Sequence, residues 1–239
     1  MLDPLRILEL PYAQTLDPMS LSTTFDTSKL PRMTSEMCFG LRRPSTDLKE
    51  FVPDLEHRLV AKGHYVSKTD RSKGHDAEQL FAQKMQALGH SVYKVPHFSH
   101  NYLRHIDFEI LDNQKQSANF DIKAPKALRK ATNRYQDAYT EPQNTYVCME
   151  LNASGSLFHH GASDYLVFGQ TNGSFIGCDR QKLCNLVLEK LKEPKERSAW
   201  PETALWMPYV RSYENIHTVM SYMDLNDLYD ANCLLWVLD

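Results

Sequence analysis

The chain has 239 residues, with 27 Lys and Arg against 30 Asp and Glu and a formal net charge of −3. That length fits one core domain with appended segments, large enough to bury a core without disulfide or metal staples. The charge excludes a uniformly basic nucleic-acid coat but leaves room for a local basic patch. The longest apolar stretch, Cys233–Leu238, is far short of the ~20 residues of a membrane helix, and no charged lead with an apolar run opens the chain. Five scattered cysteines without CxxC spacing read as reduced thiols. The expectation is a cytoplasmic protein without a membrane partner.

Residues 1–70 hold six of the 12 prolines and read as an irregular arm, with one helical hint at Asp54–Lys62. The polar stretch Lys68–His75 reads as a linker. Asp76 and Gln79 stand in capping-box spacing, and Ala77, Leu80, Phe81, Met85 and Leu88 follow at helical period up to Gly89. His90–Val95 reads as a strand. His105–Leu111 and Ala118–Lys123 alternate around the turn-forming residues Asp112–Gln116, which predicts a β-hairpin. Thr145–Leu151, Tyr165–Phe168 and Ser174–Cys178 read as further strands. Asp179–Leu191 reads as a helix with Leu183, Leu186, Val187 and Leu191 on one face. Beyond Pro194 the tail is rich in Trp and Tyr. This order predicts an α/β fold: a central mixed β-sheet flanked by helices over 71–194, with the arm at 1–70 and an aromatic extension at 195–239 packed on the core or a partner.

Side chains alternate across a strand, so Ile106, Phe108 and Ile110 share one face, and Asp107 and Glu109 the other. On the next strand Ala118, Phe120 and Ile122 share one face, and Asn119, Asp121 and Lys123 the other. Pairing the two strands lets Asp107 and Asp121 converge. Adjacent carboxylates repel unless a cation lies between them, and a hard divalent ion such as Mg²⁺ suits one or two carboxylates plus phosphate oxygens. The bland alternative is a sheet with one wet face. Glu78 lies about 20° from Met85 around the helix, at the border of its apolar stripe, where it is either held against the sheet or serves as an ordinary first-turn acid. Lys126, Arg129, Lys130 and Arg134 recur at helical spacing, and with Lys123 they make five cations from 123 to 134 without an acid. Phosphate binding is one reading of this segment; a solvated helix face is the other.

In order and spacing, Glu78, Asp107, Asp121 and Lys123 resemble the PD-(D/E)xK nuclease superfamily, with its Glu-bearing helix, acid-bearing strand and Asp/Glu-x-Lys strand. The texts HIDFEIL and ANFDIKAPK have its apolar-flanked style. YVCMELN and ASDYLVF resemble the third and fourth sheet strands of compact phage-type or junction-resolvase-like members. The resemblance covers about residues 74–192. Ile106 rather than proline precedes Asp107, which leaves Glu109 as the alternative first ligand. The resemblance implies a restriction-endonuclease-like core and a Mg²⁺-dependent DNA endonuclease, with Mn²⁺ able to substitute. Asp107, Asp121 and the Ile122 backbone carbonyl would hold the ion, with Glu78 as an outer ligand and Lys123 stabilising developing negative charge. Lys126, Arg129, Lys130 and Arg134 would bind DNA, in a possible homodimer and, for a virus-encoded chain, in the host cytoplasm. The alternative is a nuclease-fold protein without activity that binds nucleic acid or inhibits a protein partner.

Weaker signals complete the reading. Glu150 is a fifth candidate acid. His97, His100 and His105 are a zinc cluster without cysteine or HExxH support, and His159-His160 is a phosphate contact or a polar turn. Trp200, Trp206, Tyr209, Tyr213, Tyr222 and Trp236 are expected in a core or interface rather than stacked on bases.

Overall fold

The computed structural model describes residues 2–13, 24–39, 68–96, 104–125, 145–151, 157, 161–199, 204–213 and 216–239. The architecture is α/β, with two sheets. The strands are β1 (Ser91–Lys94), β2 (Phe108–Leu111), β3 (Ser117–Lys123), β4 (Tyr146–Glu150), β5 (Tyr165–Gly169), β6 (Phe175–Asp179), β7 (Tyr209–Tyr213), β8 (Ile216–Asp224) and β9 (Leu234–Leu238). The helices are α1 (Pro4–Leu8), α2 (Lys68–Ala87), α3 (Arg180–Lys190) and α4 (Leu225–Asp230). The main sheet runs β1-β2-β3-β5-β6-β9, and β4-β8-β7 form a second, antiparallel sheet. Within the main sheet only β3 and β5 are parallel, so the sheet is mixed, as expected.

The predicted hairpin is β2–β3, with Phe108 opposite Phe120 and Ile110 opposite Ala118. Its apolar face packs beneath α2, where Ala77, Phe81 and Met85 meet Phe108, Ile110, Phe120, Ile122 and Val167. The opposite face of the sheet presents Leu166, Phe168, Ile176 and Val237 to Leu183 and Val187 of α3 and to Val147, Met149, Val219 and Met223 of the second sheet. Alternation along β3 turns Asp121 and Lys123 toward that second layer.

Three expectations change. α2 begins at Lys68, so the supposed linker is helical and the Asp76–Gln79 pair lies inside the helix. Ser72, Lys73, His75 and Asp76 are exposed and leave no hydrophobic period to read, although Lys and Arg continue a helix readily. The strand expected from His105 starts at Phe108, because Arg104 and His105 form a turn with His105 at φ +56. The strand at Thr145–Leu151, expected beside its neighbours, joins β8 in the second sheet instead. Pairing partners come from long-range packing, which a strand's own pattern does not encode.

The termini are woven into this body. Leu30 packs on the second-sheet side of the main sheet and Met33 and Phe39 on the α2 side. Between them the chain crosses the β9 edge, with Met33 N donating to Val237 O at 2.8 Å and Val237 N to Pro31 O at 3.0 Å. The strap thereby covers an otherwise open sheet edge. Residues 205–239 supply β7, β8, α4 and β9, and Tyr209, Tyr222 and Trp236 are buried, as expected of core aromatics. Among the described residues no helix is long and apolar enough to cross a membrane. The Asp54–Lys62 hint lies outside the described residues.

Trp236 sets a test of this packing. Its indole lies directly against Gly177 across the β6–β9 pair, so a Cβ at Gly177 would land within the ring. The ladder shifts register at Gly177/Cys178, and the missing side chain leaves room for the indole there. Gly177→Ala is expected to destabilise the protein by about 1–3 kcal/mol, the usual range for overpacking a filled core. Urea unfolding followed by tryptophan fluorescence measures it, and an unchanged midpoint would contradict this packing.

Candidate active site

β2 and β3 bring Asp107 to Asp121. Asp107 lies one residue before β2, and its backbone already joins both neighbouring strands. Its N–H donates to Phe120 O and its carbonyl accepts from Val95 N, each at 2.9 Å. Its Oδ2 accepts the Ile122 amide N–H at 2.7 Å, which turns the carboxyl toward β3. Glu109 instead stands opposite Asn119 and Tyr93, two residues further along the strand. Asp107, not Glu109, is therefore the acid beside Asp121.

Asp121 is 2% exposed. Lys123 Nζ lies 2.7 Å from its Oδ1, while its Oδ2 is buried without a hydrogen-bond partner. A buried carboxylate oxygen rarely goes unpaired, so this atom marks a place where a donor or a cation fits.

The electrostatics agree with that reading. The Asp107 carboxyl is pushed up to about 8, first by burial and then by the Asp121 charge. Lys123 pulls the other way, Glu78 adds to the rise, and the Ile122 N–H opposes it. Two carboxylates that cannot both ionise comfortably are the condition a divalent cation relieves. For the Lys123 ammonium, burial works against the charge, but Asp121, Asp107 and Glu150 outweigh it and hold the group above the ordinary lysine range.

Glu78, half-buried on α2, acts on Asp107 through its charge and is engaged by a residue that the sequence patterns did not single out. Lys94 of β1 places its Nζ 3.0 Å from Glu78 Oε2. The alternation of β1 was readable, but a partner 16 residues upstream on a helix was not. Glu150, at the end of β4, lies 3.6 Å from the Arg211 guanidinium of β7. Arg180, at the start of α3, donates to Ser163 O at 2.6 Å and Leu157 O at 2.8 Å; Asp164 and Asp121 are among the charges acting on it.

Glu78 is thus paired with Lys94 and Asp121 with Lys123, whereas among the described residues Asp107 makes no direct ion pair and Lys123 acts on it only through its charge. Among the described residues no three Asp, Glu, His or Cys side chains stand close enough to share one metal ion. The carboxylates that the hairpin brings together are Asp107 and Asp121. At Ile122 the contact made to the site is through the N–H. Lys126, Arg129, Lys130, Arg134, His97, His100, His159, His160 and Trp200 lie outside the described residues. Compared with known proteins, the chain matches no family model, no curated protein and no solved structure.

Proposed function

We propose that this chain is a divalent-metal-dependent endonuclease that hydrolyses DNA phosphodiester bonds, with a site made of Glu78, Asp107, Asp121 and Lys123. The observation that carries the reading is the pairing of half-buried Asp107 with buried Asp121, with one unpartnered oxygen on Asp121 and Lys123 alongside. Supporting it is the arrangement of an acid-bearing helix, then antiparallel β1, β2 and β3, and then, after β4 of the second sheet, β5 parallel to β3. This order is in keeping with a restriction-endonuclease-like core.

Asp107 and Asp121 would hold Mg²⁺, or Mn²⁺ in its place. When bound, such an ion supplies an activated water and neutralises charge on the phosphate. Lys123 keeps its proton throughout the neutral range, because the surrounding carboxylates hold its ammonium charged. It therefore serves as a fixed positive charge for the developing oxyanion rather than as a base. The Ile122 N–H fixes the direction of the Asp107 carboxyl, so the site is oriented before substrate arrives.

A second reading, a nuclease-fold binding protein that does not cut, is favoured by the direct Lys123–Asp121 contact, which satisfies one carboxylate oxygen without a metal. Plasmid nicking in Mg²⁺ against EDTA separates the two. Mg²⁺-dependent nicking supports the enzyme, and its absence in both Mg²⁺ and Mn²⁺ leaves the binding protein.

Lys123→Ala is expected to lower nicking by about 10²–10³-fold, the scale of losing one preorganised charge-stabilising donor. Metal affinity should be kept or rise, because a competing cation leaves Asp121 Oδ1. Calorimetric titration with Mn²⁺ checks this, and lost affinity would make Lys123 a structural support of the metal site.

A further inference from the structure

On the α2 side of the sheet, away from Asp121 and Lys123, lies a second polar cluster. Val92, Ile110 and Ala118 form one row across β1, β2 and β3. Two residues further out, the same register sets His90 beside Asp112 and Asp112 beside Gln116, and alternation keeps all three on the α2 face. His90 is 3% exposed and Asp112 5%. Among the described residues, both ring nitrogens of His90 and Oε1 of Gln116 are buried without a hydrogen-bond partner, a rare condition in a folded chain. Both oxygens of Asp112 are engaged. Its Oδ1 accepts the Gln114 and Gln116 amides at 2.9 Å each, and its Oδ2 accepts the Phe39 amide of the strap at 3.1 Å. Burial works against this carboxylate, but those amides and the neighbouring His90 outweigh it and hold the group below its ordinary range.

Phe39 closes the cluster. Its ring lies 5.5 Å from the His90 ring, 5.2 Å from Phe120 and 6.1 Å from Tyr165, and its carbonyl accepts the Tyr165 hydroxyl at 2.9 Å. Around His90 therefore stand Asp112 from the hairpin turn, Phe39 from the strap with Tyr165 of β5 behind it, and the Met85 carbonyl of α2, which accepts the His90 amide at 3.2 Å. Burial pushes the Tyr165 hydroxyl up to about 12, so it stays neutral. Glu36, Cys38 and Lys115 on the same segments are exposed, and Lys84, the last charge of α2, is half-buried. A protonated imidazole has two N–H donors and a charge that is costly to bury unpaired. The anion one strand away is Asp112, and a charged donor bonds a carboxylate more strongly than an amide does. We propose that His90 is a pH-sensitive latch on the strap: on taking a proton it draws Asp112 Oδ2 from the Phe39 amide, and residues 34–39 open from the sheet. Met33 stays tied to Val237 of β9, which ends the opening there. The proposal is independent of the nuclease reading.

The experiment is amide hydrogen exchange of the full chain, read by NMR at about pH 7.5 and about pH 5.5, which bracket the titration of histidines. In the wild type the protection factor of the Phe39 amide should fall at least about 10-fold at the lower pH, the scale of losing one hydrogen bond to a charged group. That of the Met33 amide should hold. His90→Phe keeps a ring against Phe39 and cannot take a proton, so its Phe39 amide should stay protected at both pH values. No fall in the wild type, or an equal fall in His90→Phe, overturns the latch. The wild type also gives a reading that needs no variant: the His90 ring resonances should titrate with the same midpoint as the loss of Phe39 protection. Separate midpoints, or a Met33 amide that opens together with Phe39, overturn it as well.

Discussion

Asp121→Asn is expected to nick DNA at least about 10³-fold more slowly than the wild type in Mg²⁺, a loss at the upper end for one preorganised charged group. The argument is atomic. Asp121 has one oxygen on Lys123 and one buried and unpartnered. An asparagine in the same rotamer keeps its carbonyl oxygen on Lys123 and turns its NH₂ into the unpartnered position. An acceptor becomes a donor at the place a cation would occupy, at nearly constant shape. The fold should survive with a loss of about 1–3 kcal/mol, since a charged hydrogen bond becomes a neutral one. DNA binding should hold or tighten as carboxylate–phosphate repulsion falls. Circular dichroism confirms the fold, and nicking at the wild-type rate in that folded variant would remove Asp121 from the site.

The hairpin and its two faces were legible because period-2 alternation is local and the turn residues 112–116 bound it. Asp107, Asp121 and Lys123 followed directly from it. The start of α2 was not legible, since Ser72, Lys73, His75 and Asp76 are exposed polar residues and leave no pattern. Nor was the placement of β4, or of the long β8 in the tail: a strand's sequence states which face is buried but not which strand lies beside it. Lys94 shows the same limit at the scale of one side chain. Its partner Glu78 is fixed by how α2 crosses the sheet, a quantity that spacing in the sequence does not carry.

The metal-free protein is expected to lose stability as pH rises from about 4 to about 8, in proportion to the Asp107 carboxyl. Its folded value is raised from 3.8 to about 8. Below the lower value the acid is protonated whether the chain is folded or not, and it contributes no pH dependence. Between the two values the unfolded chain releases the proton while the folded chain holds it. The unfolded state then binds fewer protons and stability falls with rising pH, by at most about 1.4 kcal/mol per unit. Above the upper value both states are ionised and the full penalty remains. Asp107→Asn removes the proton and keeps an oxygen for the Ile122 N–H. It should therefore flatten this slope and leave the variant more stable than the wild type near pH 8 in EDTA. Other titrating groups largely cancel in the difference between the two proteins, so urea midpoints at pH 5.5 and 8 suffice. Parallel pH dependence in wild type and variant would mean that Asp107 ionises freely, and the crowding that supports the proposed cation site would be absent.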